Sequence, residues 1–263
     1  MSDADAGVRA AWDANAAFWD ARMGEGNRFV NVLVWPATER LLALRPGERV
    51  LDVACGNGLA ARRIASLGAE VTAFDFAPGM IRHARERSGV PDERIRYRVL
   101  DATDREALRG LGGGWDAVHC GMALFDMSDL EPLAQALPEL LAPGGRFVFS
   151  LLHPCFSAMT AELFVDESGP GIRVRHYMTP VVRSGEAIVG QPVPHPYFER
   201  PLSLVLAPFL RAGLVLDGLE ERSFSSDAPR RDEGIVSWSG QFSEIPPVLV
   251  ARMRPAAAAA EQS

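Results

Sequence analysis

The chain has 263 residues, 48% of them hydrophobic and 23% charged, which is enough to build the core of an α/β domain. All 27 basic residues are arginine and the net charge is −7, a balance that argues against a nucleic-acid partner. No apolar run approaches membrane-spanning length, and the amino terminus lacks a signal-peptide pattern. We therefore expect a cytoplasmic globular domain without a membrane partner.

The three cysteines, Cys55, Cys120 and Cys155, are odd in number and lack the spacing of a metal site. We expect neither a disulfide framework nor a bound metal. The sequence does not determine the oligomeric state.

The first 45 residues place Val8, Trp12, Ala16, Trp19 and Met23 on one helical stripe. This pattern predicts an amphipathic helix, for which two interpretations stay open. The helix packs on the core as ordinary structure, or it forms a lid over a ligand, hinged through the glycines of residues 23–27.

Residues 46–151 alternate between patterns of strands and helices, which predicts a doubly wound, mostly parallel sheet with right-handed crossovers. The predicted strands are Arg49–Ala54, Glu70–Phe74, Ile95–Leu100, Ala117–Gly121 and Arg146–Leu151, and the predicted helices lie near 58–67, 78–88, 104–110 and 129–141.

Residues 152–199 have no clean periodicity and many Pro and Gly residues, so we expect an irregular insertion after strand 5 that is functional or mobile. A helix near 201–212 and strands near 214–224 and 247–253 follow. We expect one domain over residues 1–255, with a cap (1–45), a ligand-binding core (46–151), the insertion (152–199) and a carboxyl-terminal part of the sheet (200–255). Residues 256–263 are expected to form a disordered tail.

Residues 50–58, Val-Leu-Asp-Val-Ala-Cys-Gly-Asn-Gly, combine a short strand with a glycine turn that leads into a helix. Such a turn brings backbone amides close to a bound nucleotide. The acid Asp52 precedes the turn, which suits a cationic ligand without phosphate better than a pyrophosphate. A nicotinamide site would require a different glycine spacing.

This stretch resembles the first motif of the class I S-adenosylmethionine-dependent methyltransferases, with Ala54 in place of its first glycine. That substitution is expected to be mild. The resemblance implies a Rossmann-like fold with a seven-stranded, mostly parallel sheet, and S-adenosylmethionine as cofactor. It also implies that Asp75 accepts both ribose hydroxyls and that Asp101 and Ala102 contact adenine. The full set of expected cofactor-binding residues is Trp19, Asp52, Ala54, Gly56, Gly58, Asp75, Phe76, Met80, Asp101, Ala102 and Met122.

The resemblance implies in-line methyl transfer to an oxygen or nitrogen atom, and we expect the acceptor to be a small aromatic or apolar molecule. Positioning is expected to carry most of the reaction. His153 is the first candidate for a general base, or a loop residue bonded to the backbone beside Pro154. His195 is the second candidate, or an anchor of the lid. His119 is expected to be a satisfied core residue. A rearrangement catalyst that keeps its cofactor, and a methyltransferase of macromolecules, remain alternative functions.

Overall fold

A central seven-stranded sheet organises the protein, with strand order β10-β11-β5-β4-β1-β2-β3. The computed structural model describes residues 3–89, 94–157, 161–228 and 238–256. The sheet strands are β1 (Arg49–Val53), β2 (Glu70–Asp75), β3 (Ile95–Val99), β4 (Trp115–Gly121), β5 (Leu141–Leu152), β10 (Leu214–Arg222) and β11 (Val248–Pro255). β11 runs antiparallel to both of its neighbours, and strands β1 to β5 pair in parallel. The predicted mostly parallel, seven-stranded sheet is thereby confirmed.

Helices cover both faces of this sheet, because each parallel strand is followed by a crossover. They are α1 (Asp3–Met23), α2 (Trp35–Leu42), α3 (Leu59–Ser66), α4 (Pro78–Ser88), α5 (Arg105–Arg109), α6 (Glu131–Leu140) and α7 (Leu202–Arg211), with a π-helical turn at Val30–Val34 before α2. The central strands are buried on both faces; β1 and β2 each expose only their first residue. Their carboxyl ends therefore meet along one covered edge.

The insertion after β5 is more regular than its sequence indicated. It forms two antiparallel hairpins, β6 (Ala161–Asp166) with β7 (Gly169–Val174), and β8 (Val181–Gly185) with β9 (His195–Glu199). Neither hairpin joins the central sheet. Apart from Ala256, the expected disordered tail lies outside the described residues.

Helix α1 is confirmed, and it packs close to the amino terminus of α4. Val8 and Ala16 of its predicted stripe are buried. Asp13 Oδ1 accepts a hydrogen bond from the Gly79 N–H at 2.6 Å, which satisfies a free donor at the start of α4. A Cβ atom at Gly79 would lie 2.9 Å from the Cβ of Ala16, so this close approach requires glycine.

Candidate active site

One cavity of about 470 Å³ opens at the carboxyl ends of the parallel strands, where a doubly wound sheet binds ligands. Its wall comes from α1, from residues 27–38, from the loops after β1 to β4, and from the insertion. Nine of the eleven predicted cofactor-binding residues line it: Trp19, Ala54, Gly56, Asp75, Phe76, Met80, Asp101, Ala102 and Met122. Residues that the sequence analysis did not assign to the site also line it, among them His119, Phe125, Asp126 and Tyr197.

The glycine turn after β1 holds a strained backbone at Ala54. Ala54 has a φ of 54°, in the left-handed region that favours glycine, and Met122 after β4 has a φ of 56°. The replacement of the motif's first glycine therefore carries some conformational strain, while alanine remains small enough for a ligand to come close. Both strained residues line the cavity, where functional sites often hold such strain.

Asp75 ends β2 with its carboxylate held by the backbone. Its Oδ2 accepts from the Gly56 N–H at 3.0 Å, and its Oδ1 accepts from the Ala77 N–H at 2.9 Å. Burial raises the pKa of Asp75 to about 6, and these two backbone donors oppose that effect. A carboxylate has roughly four lone-pair sites, so each oxygen can still accept a ligand hydroxyl.

Asp101 follows β3 and is oriented by its own loop. Its Oδ1 accepts hydrogen bonds from the backbone N–H and the hydroxyl of Thr103, both at 2.8 Å. Ala102 lies beside it with little exposed surface. This corner of the cavity therefore combines a fixed carboxylate with a small apolar residue.

Two predicted cofactor residues do not lie on the cavity wall. Asp52 is buried beneath it, and its Oδ1 lies 2.7 Å from Nδ1 of His119, a hydrogen-bonding distance. Gly58 lies against Tyr97, whose hydroxyl would be only 2.5 Å from a Cβ at that position. Both residues therefore belong to the structure that supports the glycine turn, and neither faces the cavity.

Helix α1 closes the cavity with Trp12, Trp19 and Met23. The six-membered ring of Trp19 lies over the glycine turn, 3.6 Å from where a Cβ of Gly56 would stand. Asn57 in that turn donates to Asp20 Oδ1 at 2.9 Å, and Arg87 of α4 also pairs with Asp20. Asp20 thus links α1 both to the glycine turn and to α4.

His195, the second candidate base, lies behind the cavity wall and touches Asp126, which lines it. Nε2 of His195 is 3.3 Å from Asp126 Oδ1, and neither atom has a well-aligned hydrogen-bond partner among the described residues. Burial raises the pKa of Asp126 to about 6, and His195 acts in the opposite direction. Trp12 and Tyr197 hold the His195 ring, with centroids at 4.6 and 4.4 Å.

His153, the first candidate base, is not on the cavity wall. Its Nδ1 accepts from the Cys155 N–H at 3.2 Å, which leaves Nε2 to donate to Glu221 at 2.8 Å. Burial lowers the pKa of His153, and Glu221 opposes that effect. With both nitrogens engaged away from the cavity, the geometry favours the alternative of a backbone-bonded loop histidine.

A second cavity of about 190 Å³ adjoins the first, and both share a partition of Phe125, Leu152, Ala187 and Tyr197. Within the described ranges, no cluster of three or more His, Cys, Asp or Glu residues could hold a metal ion. No described helix combines the length and the apolar character that crossing a bilayer requires.

Comparison with known proteins matches residues 50–145 to the family described as Methyltransferase domain. The ubiquinone biosynthesis O-methyltransferase of Xanthomonas campestris is 41% identical over 108 residues, which are 41% of this chain and 44% of that protein. The chain thus spans less than half the length of the curated relatives it matches.

Solved structures extend the fold beyond this core. An S-adenosylmethionine-dependent methyltransferase from Mesorhizobium loti superposes with a TM-score of 0.63 at 23% identity, over 84% of this chain and 96% of that one. A phosphoethanolamine N-methyltransferase from Haemonchus contortus, with S-adenosylhomocysteine bound, gives a TM-score of 0.56 at 18% identity, over 85% of this chain and 47% of that one.

The sheet order and the cavity at its carboxyl edge define a Rossmann-like methyltransferase fold. Together with the core match, they confirm the class that the motifs indicated. Residues 50–145 match the methyltransferase domain, and the chain is similar in fold to S-adenosylmethionine-dependent methyltransferases.

Proposed function

We propose that the protein transfers a methyl group from S-adenosylmethionine to an oxygen or nitrogen atom of a small aromatic or apolar molecule. The observation that carries this proposal is that one cavity is lined both by the loops after β1 to β4 and by several aromatic side chains. Its volume of about 470 Å³ is typical of a site for small ligands.

The cofactor end of the cavity would be formed by Asp75, Asp101 and the glycine turn. The two Asp75 oxygens suit the paired ribose hydroxyls, and the corner at Asp101 and Ala102 suits the edge and face of adenine. Backbone amides of the turn and the loop at Met122 suit the methionine part. When bound, S-adenosylmethionine supplies a methyl group that its sulfonium already activates.

The acceptor end would lie between Trp12, Phe125 and Tyr197. These rings offer flat apolar surface to an aromatic or apolar acceptor. The second cavity behind Phe125 and Tyr197 could accommodate an extension of that molecule. Enclosure by α1 and the insertion favours a small acceptor over a macromolecule.

The experiment is incubation with methyl-labelled S-adenosylmethionine and a panel of simple phenols, catechols and aromatic amines, followed by mass spectrometry. We expect labelled small products together with S-adenosylhomocysteine. Label on protein or RNA, with none on small molecules, would contradict the proposed acceptor class. Tight binding of intact S-adenosylmethionine without turnover on cell-extract metabolites would favour a rearrangement catalyst.

A further inference from the structure

We propose that Asp126 is the catalytic proton acceptor of this site and that His195 is its positioning residue. The inference rests on the proposed function, because it assigns the proton that leaves the methyl acceptor. It implies that the acceptor atom is a hydroxyl oxygen or an amine nitrogen that still carries a proton.

The protonation of His195 follows from the hydrogen bonds of Gln191. The Oε1 atom of Gln191 accepts from the backbone N–H groups of Ala187, at 2.9 Å, and Ile188, at 3.4 Å. This fixes the orientation of the amide, whose nitrogen donates to Val193 O at 2.9 Å and to His195 Nδ1 at 3.0 Å. Because Nδ1 accepts a hydrogen bond, the proton of a neutral His195 is on Nε2, the nitrogen that faces Asp126.

The two oxygens of the Asp126 carboxylate differ in their surroundings. Its Oδ1 is buried and faces His195 Nε2, while the side chain keeps 11% of its surface exposed and lines the cavity. This leaves Oδ2 as the oxygen that a ligand can reach. His195 is completely buried, so its contact with Asp126 is shielded from solvent.

Few other titratable groups face Asp126. Electrostatic interactions connect it with Asp75 at the end of β2, with Cys120 on β4, and with His195 and Tyr197 on β9. Burial and the charge of Asp126 both raise the pKa of Tyr197, and burial and nearby acids raise that of Cys120. Tyr197 and Cys120 are therefore protonated near pH 6, whereas burial raises the pKa of both Asp75 and Asp126 to about 6.

The proposed step balances in atoms and charge. A lone pair on the acceptor oxygen or nitrogen forms the bond to the methyl carbon, and the carbon–sulfur bond breaks with its electron pair remaining on sulfur. The proton of the acceptor atom passes to Asp126 Oδ2. One positive charge on sulfur and one negative charge on the carboxylate disappear together. For a neutral acceptor, the methylated product is therefore also neutral, and the total charge is unchanged.

The experiment needs no knowledge of the acceptor, because S-adenosylmethionine is a sulfonium cation and S-adenosylhomocysteine is not. Isothermal titration calorimetry in two buffers of different ionisation enthalpy measures the protons released as each compound binds. At pH 6 a nearby sulfonium should favour ionised Asp126, so S-adenosylmethionine should release more protons, by up to about half a proton. Asp75 meets the same ribose in both measurements, so its direct response to the ligand is common to them, and the part that depends on Asp126 disappears in a variant without that carboxylate.

The Asp126→Asn variant should bind both compounds and abolish the difference in proton release. Asp129→Asn is the matched control: it removes an exposed carboxylate from the same loop, outside the cavity, and should keep the difference. His195→Gln should move the largest difference to higher pH, because His195 lowers the pKa of Asp126. A purely structural histidine would not shift this pH profile.

Equal proton release by both compounds in the unmodified protein, or a difference that survives Asp126→Asn, would overturn the assignment of Asp126. Either result leaves the proposed function intact, because both compounds still bind. If neither compound binds, the proposed function itself fails and the inference fails with it.

Discussion

Asp52 and His119 lie side by side on neighbouring parallel strands. Asp52 is buried beneath the cavity, and His119 lines it. They are register partners of β1 and β4, and Asp52 Oδ1 lies 2.7 Å from His119 Nδ1. Both are almost completely buried, and Asp52 Oδ2 has no hydrogen-bond partner among the described residues. Asp52, whose position in the motif suggested direct cofactor binding, thus orients the histidine that reaches the cavity.

Replacing His119 should destabilise the fold because it leaves the Asp52 carboxylate buried without its partner. We expect His119→Phe to lower the free energy of unfolding by about 3–5 kcal/mol, measured by urea denaturation at pH 7.5. His119→Asn is the control, since its amide nitrogen can take the place of Nδ1, and it should recover part of the loss. Equal stability of His119→Phe and the unmodified protein would contradict the importance of this pair.

Asp75→Ala should weaken binding of S-adenosylhomocysteine. Loss of a charged acceptor for two ribose hydroxyls costs roughly 1.5–3 kcal/mol, so calorimetry should show a decrease in affinity of about tenfold or more. Because the pKa of Asp75 is raised to about 6, affinity in the unmodified protein should also fall as pH decreases from 7.5 through 6. Unchanged affinity in the variant would rule out this role for Asp75.

Trp19→Ala should reduce cofactor affinity, because the Trp19 ring covers the glycine turn at Gly56. Phe18→Ala is the matched control, since Phe18 is the preceding aromatic residue of α1, stacks on Arg22 and does not line the cavity. If α1 acts as a lid, hydrogen exchange in residues 8–28 should slow when S-adenosylhomocysteine binds. Identical exchange in the free and bound protein would instead favour a helix that only packs on the core.

Asp126→Asn should stabilise the protein at neutral pH. The pKa of Asp126 is raised to about 6 in the folded state from an ordinary value of 3.8, so folding disfavours its ionised form. The contribution of this carboxyl to stability is therefore present below pH 3.8 and is lost as pH rises through about 6.

The asparagine variant has no such loss. Thermal unfolding should show it to be more stable by up to roughly 3 kcal/mol above pH 6, with the two proteins converging near pH 4. Asp129→Asn should show no comparable gain. The stability difference between the variant and the unmodified protein should grow from pH 4 to pH 8 in favour of the variant. A change in the opposite direction would contradict this prediction.

His153→Ala should affect stability rather than cofactor binding. The change removes the acceptor of the Cys155 N–H and the donor to Glu221, a loss that costs about 1–3 kcal/mol. Urea denaturation should detect it, while affinity for S-adenosylhomocysteine stays within twofold. A variant of normal stability with strongly reduced turnover would restore His153 as a catalytic candidate.

The sequence predicted the sheet because most of its strands are short apolar runs separated by clear helix signals. The predicted β1 to β4 agree with the structure to within about two residues, because local burial and crossover length determine these elements. The hairpins of the insertion were not predicted, since strands such as β8 are mostly exposed and lack an alternating apolar pattern.

Most of the predicted residues that line the cavity could be placed there for the same local reason, because they closely follow the strands. The pairing of Asp126 with His195 was not, because it joins a loop after β4 to a hairpin about seventy residues later. Asp126 had one available signal, its position just beyond β4, but no motif distinguished it. His195 was identified as a candidate from its residue type and its position at the end of the insertion, and it contacts Asp126 without lining the cavity.

Asn15 links the two parts of the chain that cover the cavity. Its side-chain nitrogen donates to Val193 O at 2.6 Å, and its Oδ1 accepts from the Val193 N–H at 3.0 Å, so α1 and the insertion share a paired amide contact. Trp12, one turn earlier, contacts the His195 ring at a tilt of 44°. If α1 and the insertion move apart, this amide pair must separate and the Trp12 ring must leave the His195 ring. Opening the cavity in that way would remove one of the two rings that pack against His195, the residue beside Asp126.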